Sequence, residues 1–256
     1  MLARGFNLPG IAMGLKEPVL LNDIVGWRRR GAAPAAVAER LDQAMHMIAR
    51  PFGSDLSVVV KPSNIFNSLA PAALAMRPGS KAVLLYAPLP VYLLSVARKG
   101  LWCRLWCREL LEGLLTEGAV DLGFQPSDYF RQSDLQSAAV GWLTQQRMFH
   151  KLVEHFGTER VKTLSSEQLV ANPAGTLKAA ALHFGFQVQD KLAHDHPAFT
   201  THSKFGGSFQ TKDRLAEQDF ARKAYGEEID KVLVWADAVA EATATEMTLP
   251  SPLAVM

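Results

Sequence analysis

The sequence predicts an α/β protein with a mostly parallel sheet flanked by helices. Short runs rich in valine and leucine alternate with longer stretches of helical periodicity, which is the pattern of strand–helix crossover units. The clearest strand candidates are Ser57–Lys61 and Ala82–Tyr86, and residues 11–15 and 160–164 are weaker ones. The two clear runs are apolar on both faces, as buried parallel strands tend to be.

The segments between these strands carry apolar residues at intervals of three and four, which indicates amphipathic helices. Pro34 suits the first turn of one helix, whereas Pro71 should kink another or mark its true start. Ser133 and Gly157 have the residue types expected at the start and the end of a third helix. The predicted helical segments cover residues 34–50, 64–76, 91–115, 133–156, 172–185 and 213–241.

Composition and length favour one large domain, over residues 1–247, followed by a tail at residues 248–256. The chain has 256 residues, of which 48% are hydrophobic and 20% are charged. A net charge of +2 gives no general reason to expect nucleic acid or an anionic membrane as a partner. No secretion signal opens the chain, and the apolar stretch 82–97 is too short for a bilayer span. We therefore expect a cytoplasmic protein.

Cysteines and histidines offer little support for a metal site. Cys103 and Cys107 are four residues apart on one predicted helix face, and we expect a buried, reduced pair. His194, His196 and His202 have a spacing compatible with zinc, but neither a helix nor a cysteine pair accompanies them. We therefore expect no metal.

Four segments, in order, resemble the bacterial P-loop sulfotransferases. They are residues 14–23 with Glu17-Pro18, residues 57–64 with Lys61, residues 82–95, and residues 160–186 with Asn172-Pro173. The resemblance implies a three-layer P-loop NTPase-like fold. It also implies 3′-phosphoadenylyl sulfate as the donor co-substrate, and an alcohol or amine, on a small molecule or a glycan, as the acceptor.

The same resemblance implies a set of site residues. Lys61 would contact the donor phosphates and act in catalysis, and Glu17 would be the general base. The remaining donor-binding candidates are Ser63, Asn64, Ser95, Arg98, Ser203 and Lys204. Six of them have an ordinary structural alternative: a solvated lysine for Lys61, a surface loop for Glu17, helix capping for Ser63 and Asn64, and exposed or self-bonded helix residues for Ser95 and Arg98.

The chain also departs from the family. It contains no Gly-x-x-x-x-Gly-Lys-Ser/Thr loop, and Ala87 stands eight residues before Ser95, where the family has a phosphate-binding arginine. The strand that carries the loop is central in such sheets, so the first strand is missing as well. Two explanations remain open: an N-terminally truncated enzyme, or a degenerate scaffold for protein interaction or assembly, in which a homo-oligomer is one expectation. A kinase relative is a third interpretation, and it lacks the same loop.

Overall fold

A computed structural model of the protein describes residues 2–8, 10–51, 57–186, 188, 196–200 and 211–255. The first half contains α1 (Leu2–Gly5), β1 (Ala12–Lys16), α2 (Val19–Arg29), α3 (Pro34–Ile48), β2 (Ser57–Lys61), a 3-10 helix (Asn64–Leu69) and α4 (Ala70–Met76). The second half contains β3 (Ala82–Tyr86), α5 (Leu89–Arg98), α6 (Leu101–Thr116), a 3-10 turn (Asp128–Phe130), α7 (Asp134–Phe156), β4 (Val161–Ser165), α8 (Ser166–Ala171), α9 (Pro173–Phe184), α10 (Pro197–Thr200) and α11 (Thr211–Ala242).

The α/β class and the parallel strand pairing are confirmed. Strands β2 and β3 have the predicted bounds, and β1 and β4 each lie one residue later than predicted. The described strands do not form a single sheet, however. β1 pairs with β2 in one parallel two-stranded sheet, and β3 pairs with β4 in another. The predicted arrangement of one mostly parallel sheet is therefore observed only as two separate pairs.

The predicted helix over residues 91–115 is interrupted. Gly100 has a φ of 70°, a left-handed value that glycine adopts readily, and it separates α5 from α6. Near Pro71 the chain changes from a 3-10 helix to an α-helix, as a proline in the first turn allows. Helix α7 begins with the expected Ser133 cap, as part of a capping box with Gln136, and ends before Gly157. Helix α2 lies outside the segments predicted as helical.

One apolar cluster, called the shared cluster here, contacts both sheets. Val59 of β2 and Val83 of β3 both pack against it, and Ile11, which precedes β1, does the same. Its buried members are Phe6, Leu8, Leu164, Leu169, Ala174, Leu177, Ala180, Ala181, Val188 and Leu253. Further clusters join α5, α6, α7 and α11, and join α2, α3 and the 3-10 helix that follows β2.

Two arginines connect elements that are distant in sequence. Arg160, just before β4, donates hydrogen bonds to the carbonyl oxygens of Leu74 (3.0 Å), Arg77 (3.1 Å) and Ser80 (3.2 Å). Arg160 thereby ties the start of β4 to the C-terminal turn of α4 and to the loop that follows it. Arg29 of α2 donates to Glu117, which follows α6, at 2.6 Å, and the Glu117 side chain is only 2% exposed. This buried pair ties α2 to α6.

The C-terminal residues, predicted as a tail, pack against β4. Thr163 donates its backbone N–H to Ser251 (2.9 Å) and accepts a backbone hydrogen bond from Leu253 (2.8 Å). Leu249 and Leu253 are buried. The outer edge of β4 is therefore covered by these residues. Across the described residues, no helix combines the length and the apolar character that crossing a bilayer requires.

Replacing Gly113 on α6 with alanine should destabilise the protein. Alanine gains about 1 kcal/mol of helix propensity over glycine. A Cβ at Gly113 would, however, collide with the Arg29 guanidinium, so the Arg29–Glu117 pair must shift. Because leaving a buried charge without its partner costs about 3–5 kcal/mol, even a partial loss outweighs the propensity gain. Urea unfolding should show a net loss of about 1–3 kcal/mol.

Gly141, in the middle of α7, provides the matched control. A Cβ at Gly141 would meet no atom within 4 Å, so Gly141→Ala should raise the free energy of unfolding by up to about 1 kcal/mol. Equal effects of the two substitutions would contradict a structural role for the Arg29–Glu117 pair.

Candidate anion-binding site at the strand ends

The C-terminal ends of β1 and β2 bring charged residues together. In the parallel register Lys16 lies beside Lys61, and Glu17 follows directly after β1. Both lysines and Glu17 are exposed. Ligands of open α/β sheets bind outside the carboxyl ends of the strands, so these residues occupy a suitable position for a ligand contact.

Glu17 and Lys61 form a hydrogen-bonded ion pair. Their side chains are 42% and 45% exposed, and the Glu17 backbone N–H also donates to the Lys61 carbonyl oxygen at 2.6 Å. The two residues named as catalytic candidates are therefore in contact. An ion pair this exposed contributes only about 0–1 kcal/mol to stability. The Glu17–Lys61 pair is therefore not explained by a need to stabilise the fold.

Glu17 has an unusual backbone conformation. Its φ is 49°, in the left-handed region, and the residue that follows is Pro18. Non-glycine residues are uncommon in this region, and such strain costs about 1–3 kcal/mol and is concentrated at functional sites. The conformation holds the Glu17 carboxylate against Lys61 at the strand ends.

Ser63 and Asn64 lie immediately beyond β2. Ser63 occupies the N-cap position of the 3-10 helix, but its side chain makes no capping hydrogen bond. Its hydroxyl donates to the Asn64 side-chain oxygen at 3.4 Å. The expectation that Ser63 acts as a helix cap is therefore not met by its side chain. Both residues belong to the same strand end as Lys61.

Ser95 and Arg98 belong to a different element, α5, which follows β3. Ser95 is half-buried, and no described hydrogen bond connects it to the Glu17–Lys61 pair. Arg98 is exposed in the last turn of α5. The carbonyl oxygen of Ala87 accepts a hydrogen bond from the indole N–H of Trp142 at 2.8 Å. Ser203 and Lys204 lie outside the described residues.

Lys16 is a residue that the sequence interpretation did not include. Its position at the end of β1 gives the site two cations and one carboxylate. The sequence contains a signal for this residue, since each of the two neighbouring parallel strands ends in a lysine. An incoming anion can compete with Glu17 for Lys61, which would leave the carboxylate able to accept a proton.

The described cysteine and histidine candidates, Cys103, Cys107 and His196, have structural surroundings. Cys103 and Cys107 are free and buried, as expected. Burial raises the pKa of Cys107 to about 11, so its thiol stays protonated at neutral pH, and its Sγ lies 3.3 Å from the Tyr92 hydroxyl. His196 is buried, and its Nδ1 accepts a hydrogen bond from the Ala198 N–H. His194 and His202 lie outside the described residues, among which no group of three His, Cys, Asp or Glu side chains could hold a metal ion.

Comparison with models of protein families, with curated proteins and with solved structures finds no match to this chain. The geometry of the strand ends and the four segments with a family resemblance are therefore the features of the chain that bear on its function.

Glu17→Gly should stabilise the protein by about 1 kcal/mol, because glycine adopts a positive φ without strain and the lost ion pair is exposed. The matched control is Ala244→Gly. Ala244 also has a positive φ, 48°, but no charged side chain. Urea unfolding should give a slightly larger gain for Ala244→Gly, and the difference measures the Glu17–Lys61 pair. A large loss of stability in Glu17→Gly would assign Glu17 a structural role.

Stability should fall as the pH rises from about 9 to about 11. The folded pKa of Cys107 is raised to about 11 from an ordinary value of 9.0, so the unfolded chain releases this proton first. The contribution of the protonated Cys107 thiol to stability is fully present below the pKa of the unfolded chain. It is lost as the pH passes the pKa of the folded protein. Burial likewise raises the pKa of Tyr92. Urea unfolding of Cys107→Ala should show a flatter decline across this range, and an unchanged decline would contradict the assignment to Cys107.

Proposed function

We propose that the protein is a sulfotransferase-like enzyme that moves a sulfuryl group from 3′-phosphoadenylyl sulfate to an alcohol or amine. The single observation that carries the proposal is the meeting of Glu17 and Lys61 at the ends of adjacent parallel strands, with Glu17 in a strained conformation. Sulfuryl transfer resembles phosphoryl transfer, in which positioning and charge stabilisation provide most of the catalysis. Lys16, Ser63 and Asn64 lie at the same strand ends.

The proposed step forms a bond between the acceptor oxygen or nitrogen and sulfur, and breaks the bond between sulfur and the phosphate oxygen of the donor. Glu17 takes the proton of the acceptor, and the leaving group departs as adenosine 3′,5′-bisphosphate. Lys61 leaves its ion pair with Glu17 to stabilise negative charge on the leaving phosphate. The nucleotide would also contact Ser95 and Arg98 and the segment with Ser203 and Lys204.

The residues fit the donor only in part. Two lysines at the ends of adjacent strands suit a phosphate group. Ala87, in contrast, provides no cation where the family has an arginine, and its carbonyl group is engaged by Trp142. The proposed architecture is the three-layer P-loop NTPase-like fold, in which the two strand pairs are parts of one sheet.

Isothermal titration with adenosine 3′,5′-bisphosphate tests donor binding, both on this chain and on a version extended by any in-frame sequence encoded upstream. Lys61→Gln should weaken binding about tenfold or more, because a hydrogen bond to a charged group contributes about 1.5–3 kcal/mol. Lys151→Gln, which removes an exposed lysine on α7, serves as the control and should leave the affinity unchanged.

Two results would contradict the proposal. If neither the chain nor its extended version gives binding heat, the protein does not bind the donor nucleotide. Equal losses in Lys61→Gln and Lys151→Gln would mean that the nucleotide binds through general charge and not at the strand ends.

A non-catalytic scaffold for protein interaction or assembly is the second candidate function. Two observations favour it: the uncharged Ala87, and the separation of the strands into pairs, which leaves β2 and β3 each with one neighbour. Exposed strand edges are templates for pairing with another chain. A stable, specific complex in light scattering would support this function, and a well-folded monomer that binds the nucleotide would count against it.

A further inference from the structure

Helix α6 exposes three large apolar side chains at its N-terminal end. Leu101 is 68% exposed, Trp102 is 66% exposed and Leu105 is 48% exposed. Residues three and four apart share a helix face, so these side chains are neighbours, and we call them the α6 patch. The opposite face of the helix, with Cys103 and Cys107, is buried in the cluster that joins α5, α6, α7 and α11. Adjoining exposed apolar groups of this kind mark interaction surfaces.

Charged residues of opposite sign lie at the two ends of the α6 patch. Lys99 comes just before the helix, whereas Glu109 and Glu112 lie one and two turns beyond Leu105 on the same face. All three charged residues are exposed, and none of them forms an ion pair with another residue that the structure describes. Along this face the surface therefore changes from a cation, through the apolar patch, to two carboxylates.

The two arginines within α6 are already paired inside the chain. Arg104 donates hydrogen bonds to both carboxylate oxygens of Glu228 on α11, at 3.1 Å and 3.0 Å. Arg108 donates to the Asp134 carboxylate at the start of α7. These pairs fix one flank of α6 to its neighbours. The two arginines are therefore not available to the exposed carboxylates at the far end of the patch.

A surface with this order of groups is complementary to a second copy of itself turned end to end. When two antiparallel α6 helices have their two-fold axis midway between Trp102 and Leu105, each of these side chains lies opposite the other one on the second copy. Lys99 then lies opposite residue 108, which is about 1.5 Å from Glu109 along the helix. Both ends of the pair thus gain opposite charges. An anionic membrane or an acidic partner would instead be repelled by Glu109 and Glu112.

We propose that two copies of this chain dimerise through the α6 patch, with their α6 helices antiparallel about a two-fold axis. The same surface then serves both copies, which is the commonest symmetry of soluble oligomers. Tryptophan, here Trp102, is enriched among the residues that contribute most at the centres of interfaces. A patch of three apolar side chains corresponds to a small interface, so a dissociation constant in the micromolar range is expected. The inference rests on neither candidate function, because an enzyme and a scaffold can both act as dimers.

Sedimentation velocity of the full chain across the micromolar range tests the dimer. The unsubstituted chain should change from monomer to dimer as its concentration rises. Leu105→Lys should weaken dimerisation at least about tenfold, because a substitution beside a two-fold axis acts twice. The matched control is Leu182→Lys, which replaces a leucine that is 63% exposed on α9 and should leave the dimer unchanged. Both leucines are exposed, and circular dichroism confirms that each variant is folded.

Two charge reversals test the antiparallel arrangement. Lys99→Glu and Glu109→Lys should each weaken dimerisation about tenfold, since either one places like charges opposite each other at two points. An equimolar mixture of the two variants should dimerise again, because each variant offers the charges that complement the other. A contact between Lys99 and Glu109 within one chain is not restored by mixing. Raising the salt concentration should weaken the dimer of the unsubstituted chain.

A chain that stays monomeric throughout this range would overturn the inference, and so would equal effects of the two leucine substitutions or a mixture that remains monomeric. Binding of the monomer to phosphatidylserine vesicles, lost in Leu105→Lys, would assign the α6 patch to a lipid surface and would also overturn it. A monomer that binds adenosine 3′,5′-bisphosphate contradicts the dimer alone. A dimer that gives no binding heat with this nucleotide contradicts donor binding alone.

Discussion

Apolar packing holds the two strand pairs together, because no backbone hydrogen bond joins them within the described ranges. Val59 and Val83, from the two sheets, meet the shared cluster, in which Leu164 and Leu177 are fully buried. Each fully buried leucine contributes about 1.5–3 kcal/mol, so a cluster of this size can replace a hydrogen-bonded ladder as the connection. The Arg29–Glu117 pair and the Arg160 hydrogen bonds add specific links at the periphery.

The strand-end chemistry depends on this packing through the register of β1 and β2. A slip of one residue would turn the side chains of a strand to its other face and remove Lys61 from Glu17. Ile11 and Val59 fix the register, because both must reach the shared cluster. The positive φ of Glu17 then determines where its carboxylate lies. The packing of the core thus sets the strand register, and the register sets the geometry of the candidate site.

Local features of the fold could be predicted from the sequence, and non-local ones could not. The bounds of β2 and β3 follow from uninterrupted apolar runs, and the α7 cap follows from Ser133 and Gln136. The break at Gly100 depends on a backbone angle that its strongly helical neighbours conceal. Separation into two sheets depends on strand order, which periodicity does not encode. In the candidate site, Glu17 and Lys61 could be named from the sequence, whereas their contact and the position of Lys16 beside Lys61 depend on the register.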